Sequence, residues 1–320
     1  MPADRPLRVV VVAEESAGAQ TLDALRTAPE SPEIVAVVTG TEPEGRRRAL
    51  VAAAATRHGL DVVSASTVRS GSFAKTIRVL GVDLLLNVHS LFVLDSDVVR
   101  APRIGSFNLH PGPLPEYAGL NAPSWAIYHG EAMHAVTVHW MEARIDTGPV
   151  AYRASVAVEA ADTGLSLTAK CVRHGVPLLL DLVADAARNP TAIPAHQQDL
   201  RRRRYFGREV PNEGRLVWDE SAEQIVRFVR AADYGPFDSP WGIPRTRLGD
   251  GPVGITKASL TGEAAAEPPG TVGGPLERGG VMVAATDEWI AVHRMWRDGR
   301  SVTPSEVCSP GDRLDDRARD

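Results

Sequence analysis

Short apolar runs alternate with helical patterns through the first half of the chain. The first run, Leu7 to Ala13, is continuous and β-branched, as expected for a strand buried on both faces of a parallel sheet. Further strands are predicted at residues 33–40, 62–66, 82–88 and 105–109, with helices between them at 16–28, capped by Ser16, and at 46–59, 72–80 and 94–100. This βαβ rhythm predicts an α/β fold, a doubly wound and mostly parallel sheet with helices on both faces.

The pattern changes character in the second half of the chain. A helix at 123–130, strands at 135–141 and 150–158 and a long helix at 165–189 complete the first region. Beyond the basic, irregular segment 201–212, a helix at 221–232 precedes short strands at 253–256, 270–272, 281–285 and 289–295. We therefore predict an α/β domain over 1–200, a linker over 201–212, a β-rich, barrel-like domain over 213–310 and a charged tail over 311–320.

Composition and charge narrow the class of protein. The chain has 320 residues, of which 43% are hydrophobic and 23% charged, close to the average for soluble globular proteins. The net charge of −5 argues against a broad basic face for nucleic acid. The two cysteines, Cys171 and Cys308, lie far apart, which favours a reducing compartment. Because no signal-peptide pattern and no apolar stretch near the ~20 residues of a membrane span are present, we expect a cytoplasmic protein without membrane association.

A polar pair ends the last predicted strand of the parallel series. Asn108 and His110 stand at the carboxyl end of residues 105–109, and ligands bind at this end of the strands in doubly wound sheets. Side chains two residues apart in an extended segment point to the same side, so both can face one cleft. The run from Pro111 to Pro115 restricts the backbone and holds the pair in place. A capped turn is the simpler interpretation of an isolated pair, but this rigid flank favours a functional site.

Asp146 lies in the turn IDTGP, between the strands predicted at 135–141 and 150–158. Alone, it is more typical of an Asx-turn. Taken in order, however, the motifs NLH, LPEYAG, PSWAIYHGE, VTVHWM and IDTGP resemble the formyltransferase family that uses 10-formyltetrahydrofolate. The resemblance covers nearly the whole chain. It implies that the donor is 10-formyltetrahydrofolate and that the C-terminal barrel is of the oligonucleotide-binding (OB) type.

The resemblance implies that Asn108, His110 and Asp146 are catalytic. In formyl transfer a neutral amine attacks the formyl carbon, and an oxyanion develops. Asn108 can donate an amide N–H to that oxygen, and His110 can help to move a proton from the amine to the leaving nitrogen. Asp146 can orient His110 and stabilise its charge, directly or through a water. The chain departs from the family at Gly112, where a serine is common, so any role of that hydroxyl is lost or passes to water.

The folate pocket is expected beside the catalytic asparagine. The resemblance implies a slot lined by backbone and apolar groups, with the strand and loop around residues 85–93 on one side and the turn of Asp146 on the other. The residues assigned to it are Asn87, His89, Leu91, Ile145 and Gly148. Leu91 and Phe92 could equally belong to the core.

The loop after His110 is expected to contact the acceptor through Pro113, Glu116 and Tyr117. Family members that formylate tRNA usually carry arginine on either side of the aromatic residue, where this chain has Glu116 and Ala118. An acidic Glu116 would repel a phosphate and could pair with an ammonium group. Those members also carry a long basic insertion after the second strand, whereas residues 39–49 are short here. We therefore expect a small amine as acceptor, such as an amino sugar, an amino acid or a hydroxylated ornithine.

Several alternatives stay open. The chain could be a methionyl-tRNA formyltransferase, or could hydrolyse formyltetrahydrofolate with water in place of the amine. A nucleic-acid-binding module with an inactive enzyme domain is a third alternative, against which the intact catalytic set speaks. The arginine run at 201–204 could hold a phosphate, although a solvated linker face is the more common role. In small-molecule members the barrel often serves oligomer contacts, which leaves a homodimer open.

The remaining candidate residues point to no other chemistry. His134 and His139 do not have the spacing of metal ligands, so we expect no metal site and place both on the surface or within a strand. No GxGxxG motif follows the first strand, which disfavours a nicotinamide dehydrogenase. Tyr234, Phe237 and Trp241 either line the acceptor cleft or belong to a core between the domains.

Overall fold

The computed structural model describes residues 5–40, 46–249 and 251–315, with only the backbone described for residues 46–48. The predicted loop at 39–49 and the predicted tail at 311–320 therefore lie partly outside the described residues. The described chain packs into two compact units. The first comprises residues of Met1–Gly119, His134–Val156 and Ala169–Tyr205, and the second comprises residues of Leu120–Met133, Ala157–Thr168 and Phe206–Asp320.

The first unit is built on a seven-stranded sheet. Its strands are β1 (Arg8–Ala13), β2 (Glu33–Thr39), β3 (Val62–Ser64), β4 (Leu84–Val88), β5 (Gly105–His110), β7 (Met133–Trp140) and β8 (Val150–Ala157), while β6 (Ala118–Gly119) lies outside it. The spatial order is β3-β2-β1-β4-β5-β7-β8. Strands β1 to β5 run parallel to their neighbours, and β7 is antiparallel to β5. The predicted doubly wound, mostly parallel sheet is confirmed.

Helices follow the strands as the sequence pattern predicts. They are α1 (Glu15–Thr27), α2 (Arg46–Arg57), α3 (Gly71–Val79), α4 (Ser96–Val99), α5 (Ala122–Tyr128) and α6 (Gly164–Arg188). The prediction that Ser16 caps α1 is wrong, because α1 already begins at Glu15. The first helical hydrogen bond runs from Gly18 N–H to Glu14 O at 3.2 Å, so Glu14 and not Ser16 is the N-cap residue. None of the helices in the described ranges is both long and apolar enough to cross a membrane.

Burial on both faces explains the unbroken apolar runs. In β1 every residue from Val9 to Ala13 is at most 1% exposed. One face belongs to a core cluster whose members come from β1, β2, α3 and β4, among them Val10, Val38, Ile77 and Leu85. Helix α6 packs close against the sheet at Gly175, where an added Cβ would lie 2.8 Å from Leu109 and 2.9 Å from Val136. The glycine therefore brings the helix against β5 and β7.

The second unit contains a curled antiparallel sheet in the form of a half-barrel, together with α5 and α7 (Ala222–Ala231). Its strands are β10 (Arg245–Leu248), β11 (Gly251–Ala264), β12 (Val272–Pro275), β13 (Val281–Ala284), β14 (Glu288–Arg297), β15 (Arg300–Val302) and β16 (Leu314–Asp315), and the short β9 (Tyr205–Phe206) precedes them in the chain. The order is β12-β13-β14-β11-β10-β16, with β15 paired to β14. Register shifts between β11 and β14 bend the long strand β11, which is consistent with the predicted barrel.

Aromatic side chains form much of the core of the second unit. The ring of Trp125 packs 4.8 Å from those of Phe206 and Trp241. The Tyr234 hydroxyl lies 3.0 Å from Ser124 Oγ. Tyr234 and Trp241 are buried, while Phe237 is 46% exposed. Tyr234 and Trp241 therefore belong to the core of this unit, and Phe237 alone of the three presents a large surface.

Candidate active site

A row of polar side chains crosses three neighbouring strands of the first unit. Asn108 on β5 pairs in register with Asn87 on β4 and with His139 on β7. The Asn87 Nδ2 donates to Asn108 Oδ1 at 2.8 Å, and Asn108 Nδ2 lies 3.1 Å from His139 Nε2. Strand pairing thus brings together three residues that are far apart in the sequence, with Asn108 at the centre.

His134 and His139 both lie in β7 and are buried, so of the two expected locations, surface or strand, the strand is confirmed. His139 Nδ1 lies 2.8 Å from Trp140 O, and His134 Nε2 lies 2.9 Å from Pro111 O. The sequence analysis missed His139 because its role depends on the register of β7 against β5. Among the described residues, no group of three or more His, Cys, Asp or Glu side chains could hold a metal ion.

The two ring nitrogens of His110 have different partners. Nε2 lies 2.6 Å from Tyr117 O, and because a carbonyl oxygen only accepts, Nε2 carries the proton. In the neutral ring Nδ1 therefore keeps its lone pair, and it lies 3.7 Å from Asp146 Oδ2, beyond a direct hydrogen bond. Burial lowers the pKa of His110 below its ordinary value, although Asp146 and the bond to Tyr117 oppose the shift. His110 is therefore a neutral base at neutral pH.

Asp146 stays ionised although its side chain is buried. Burial alone would raise the pKa of this carboxyl, but the nearby His110 and His139 and the Gly119 N–H together hold the pKa well below its usual range. Gly119 N donates to Asp146 Oδ2 at 2.8 Å, and Asp146 Oδ1 lies 3.4 Å from His139 Nε2. The carboxylate therefore stands between two imidazoles and can stabilise positive charge on His110.

The turn that carries Asp146 is held by its backbone. Asp146 has a φ of 56°, a left-handed conformation that aspartate tolerates better than most residues. At Gly148 an added Cβ would lie 2.0 Å from Trp140 O, so only glycine fits. The Gln198 Nε2 donates to Asp146 O at 3.2 Å and to Gly148 O at 2.6 Å. Gln198 is a further residue that the sequence analysis missed, since no local pattern connects it with this turn.

Of the residues assigned to the folate pocket, Asn87 and His89 lie closest to the catalytic pair. His89, directly after β4, has a φ of 50°, and its burial, with a smaller contribution from any protonation of the neighbouring His110, lowers the pKa of His89 to about 4. Within the described part of the chain, neither His89 Nε2 nor Asn87 Oδ1 has a hydrogen-bond partner, although both atoms are buried. Two buried polar atoms are thus available to a ligand.

The other pocket assignments differ in exposure. Leu91 is 73% exposed and its N–H donates to Glu14 Oε2 at 3.0 Å, so the alternative that Leu91 belongs to the core is wrong. Phe92, in contrast, packs against the core cluster of the first unit. Ile145 is 45% exposed in the turn before Asp146. Leu91 and Ile145 therefore offer apolar surface of the kind that an aromatic ligand covers.

The loop after His110 is packed more tightly than the sequence suggested. Tyr117 is 4% exposed, and its N–H donates to Pro113 O at 2.8 Å. Glu116 forms an ion pair with Arg202 at 2.5 Å. Arg202 therefore offsets part of the charge of Glu116, whose Oε2 is buried without a hydrogen-bond partner among the described residues. That Glu116 pairs with an ammonium group of the acceptor stays a prediction.

Each arginine of the run at 201–204 makes a contact within the first unit. Arg201 pairs with Asp199 at 2.8 Å, Arg202 pairs with Glu116, and Arg203 Nη2 donates to Ile145 O at 3.1 Å. The guanidinium of Arg204 stands 5.6 Å from the centroid of the Tyr117 ring. The run therefore helps to fix the loops around the site.

Together these groups define a class of group-transfer enzyme. Asn108 can donate an N–H to an oxygen that gains negative charge, His110 Nδ1 can take a proton, and Asp146 can stabilise the resulting imidazolium. Residues 7–183 match the Formyl transferase family, and residues 210–309 match the Formyl transferase C-terminal domain. The chain belongs to the formyltransferase family, and it is a formyl-transferring enzyme.

Relatives of two kinds resemble this chain. The methionyl-tRNA formyltransferase of Pseudomonas fluorescens (strain SBW25) is 30% identical over 299 residues, which cover 92% of this chain and 90% of that protein. The structure of the N-formyltransferase from Helicobacter canadensis has a TM-score of 0.66 at 16% identity and covers 89% of this chain and 98% of its own. The sugar 3N-formyl transferase WlaRD has a TM-score of 0.67 at 14% identity and covers 90% and 97%. The two structures share the fold.

Proposed function

We propose that this enzyme transfers the formyl group of 10-formyltetrahydrofolate to the amine of a small molecule. The observation that carries the proposal is the buried set of Asn108, His110 and Asp146. It combines an amide donor, a neutral imidazole with an open Nδ1 and an ionised carboxylate. Formyl transfer to an amine needs these three groups, and it needs no nucleophilic side chain.

The residues around this set fit a folate donor. When bound, 10-formyltetrahydrofolate supplies the formyl carbon that the amine attacks. Asn87 Oδ1 and His89 Nε2 are buried acceptors that have no partner among the described residues, which is expected where a ligand brings its own N–H or O–H groups. The Helicobacter relative was solved with folinic acid and dTDP-3-aminofucose, and WlaRD with dTDP and 5-N-formyl-THF.

In the proposed mechanism each side chain has one task. Asn108 donates an amide N–H to the oxygen on which negative charge develops, a contribution of roughly 3–4 kcal/mol for one such donor. His110 accepts a proton from the attacking amine at Nδ1, while Nε2 stays bound to Tyr117 O. Asp146, 3.7 Å from Nδ1, stabilises the imidazolium until it gives this proton to the folate nitrogen, which leaves as its bond to the formyl carbon breaks. A carboxylate that remains ionised at neutral pH suits this role.

Three features favour a small amine over tRNA as acceptor. The chain carries a net charge of −5, so it exerts no overall attraction on a polyanion. Its arginine run at 201–204 is engaged in contacts with neighbouring side chains and backbone. The loop after His110 has Glu116 and Ala118 where tRNA-formylating members of the family usually carry arginine.

Charged initiator tRNA is the second candidate acceptor. A specific observation favours it, since the methionyl-tRNA formyltransferase of Pseudomonas fluorescens is 30% identical over 92% of this chain. The exposed faces of Arg201 and Arg202 could still contact phosphate, as both side chains are more than half exposed. An experiment must therefore include both acceptors.

The test is a screen of two acceptor classes with 10-formyltetrahydrofolate: charged initiator tRNA, and small amines comprising amino sugars, sugar nucleotides carrying an amine, amino acids and hydroxylated ornithine. Mass spectrometry would detect the N-formyl product, and absorbance would follow release of tetrahydrofolate. We expect one acceptor class to give product with wild-type enzyme and little with Asp146→Asn. Tetrahydrofolate release with free formate and no N-formyl product would establish the hydrolase instead.

A further inference from the structure

The amide of Asn108 is held at both ends. Its Oδ1 accepts from Asn87 Nδ2 at 2.8 Å, and its Nδ2 lies 3.1 Å from His139 Nε2. Asn87 and His139 are 6% and 2% exposed, so water does not compete freely for either contact.

The contact of His139 with Trp140 determines which atom donates and which accepts in each hydrogen bond from His139 to Asn108 and Asn87. Trp140 O can only accept, so His139 carries its proton on Nδ1, and in the neutral ring Nε2 has a lone pair. Nε2 has two near contacts, Asn108 Nδ2 at 3.1 Å and Asp146 Oδ1 at 3.4 Å, and only Asn108 can donate to a lone pair. The lone pair therefore accepts from Asn108 Nδ2, and Asn108 Oδ1 faces Asn87 Nδ2. The two contacts agree on a single orientation of the Asn108 amide. The second N–H of Asn108 Nδ2 is then the donor that remains for an oxyanion.

We propose that Asn87 and His139 are positioning residues that lock Asn108 with its N–H directed at the reacting oxygen. The inference rests on the proposed function and adds to it, because neither residue needs to touch the reacting atoms. Removing Asn87 frees the amide to rotate by half a turn, which would present Oδ1 to the oxyanion and repel it. The expectation that Asn87 binds folate stays a prediction for its Oδ1, while its Nδ2 donates to Asn108.

The kinetic test uses Asn87→Leu, a substitution of similar volume without a polar group. We expect kcat to fall about 10- to 100-fold, the cost of a misplaced catalytic group, while the KM for the donor rises by a much smaller factor from the loss of Asn87 Oδ1. In an Asn108→Ala background the same substitution should change kcat by less than about twofold, because the residue acts through Asn108. Thr39→Val is the matched control: it also removes a buried polar atom at the end of a strand, and kcat should not change.

Two kinetic results would overturn the proposal. A raised KM for the donor with kcat preserved would make Asn87 a folate-binding residue. An equal fold-loss of kcat in the wild-type and Asn108→Ala backgrounds would show that Asn87 acts independently of Asn108. Thermal unfolding of all variants separates these outcomes from a loss of folded protein.

A spectroscopic test does not depend on activity. In ¹⁵N NMR of histidine-labelled enzyme, we expect His139 Nδ1 to carry a proton that it donates to Trp140 O, and Nε2 to act as a hydrogen-bond acceptor. Both Asn108→Ala and Asn87→Leu should shift the Nε2 signal, whereas Thr39→Val should not. A wild-type Nε2 that carries a proton would contradict the assigned polarity. If the NMR result holds and no formyl transfer is found, the proposed function fails and the locked amide stands.

Discussion

At the residue scale, the contacts of its two ring nitrogens set the role of His110. The Tyr117 carbonyl occupies Nε2, so in the proposed mechanism only Nδ1 is left to exchange a proton with a bound acceptor. Burial keeps this nitrogen unprotonated at neutral pH, and Asp146 prevents the pKa from falling further. Proton uptake and charge stabilisation are therefore divided between two side chains that do not share a direct hydrogen bond.

The Asn108→Ala variant tests the oxyanion donor. Because this donor contributes more in the transition state than in the ground state, we expect kcat to fall by about 10²–10³. The dissociation constant of the folate donor, measured by fluorescence or calorimetry, should change little. A loss confined to folate binding, with kcat preserved, would make Asn108 a binding residue.

The Asp146→Asn variant tests the charge partner of His110. We expect turnover to fall by about 10²–10⁴, as for loss of an acid–base partner. Asp146 raises the pKa of His110, so removing the carboxylate lowers that pKa further. The acidic limb of kcat/KM against pH, which for wild type lies below the ordinary histidine value of about 6.5, should therefore move to still lower pH.

Asp185→Asn is the matched control for this prediction. Asp185 lies on α6 and accepts from the Tyr152 hydroxyl at 2.7 Å, so its loss should leave the pH profile in place. Near-normal turnover in folded Asp146→Asn protein, or an acidic limb that moves to higher pH, would refute the assignment of Asp146.

At the element scale, the turn between β7 and β8 positions the carboxylate. We expect Gly148→Ala to destabilise the protein by about 1–3 kcal/mol, because the added Cβ would lie 2.0 Å from Trp140 O and the backbone must move. The same shift displaces Asp146, so kcat should fall with the melting temperature. Gly71→Ala, at the start of α3, meets nothing within 4 Å and should have neither effect in thermal unfolding and steady-state assays. An unchanged Gly148→Ala enzyme would count against the turn as a positioning element.

The sequence predicted the parallel strands well because they are buried on both faces and read as unbroken apolar runs. Short strands such as β10, β15 and β16 lack such runs, and the sequence analysis missed all three. The fourteen-residue β11 was predicted only at residues 253–256, since its outer half is exposed and polar. The apolar pattern of the sequence therefore predicts central, buried strands, but it misses short strands that are partly exposed.

Some residues of the candidate site could be predicted from local sequence motifs, and others could not. Asn108, His110 and Asp146 belong to local motifs that a single sequence displays. His139 and the pairing of Asn87 with Asn108 depend on strand register, which no local pattern encodes. Gln198 reaches the Asp146 turn from a distant segment. Motifs can therefore nominate the reacting groups, while the residues that orient them appear only in three dimensions.

At the scale of the whole molecule, charge bears on the choice of acceptor. With a net charge of −5, we expect weak binding of tRNA that does not distinguish initiator from elongator species. Fluorescence anisotropy between about 50 and 200 mM salt should show this binding disappear, as for contacts made to phosphate alone. Tight, initiator-specific binding that persists at 200 mM salt would instead identify tRNA as a true partner.

The proposal that the acceptor is a small amine is tested most directly by comparing two values of kcat/KM, one for the best small amine and one for charged initiator tRNA. Both are measured with 10-formyltetrahydrofolate under identical conditions. We predict a measurable value for the small amine that Asn108→Ala lowers by about 10²–10³, and no turnover of the tRNA above background. Efficient formylation of the tRNA, with no turnover of any small amine, would contradict the account and identify tRNA as the acceptor.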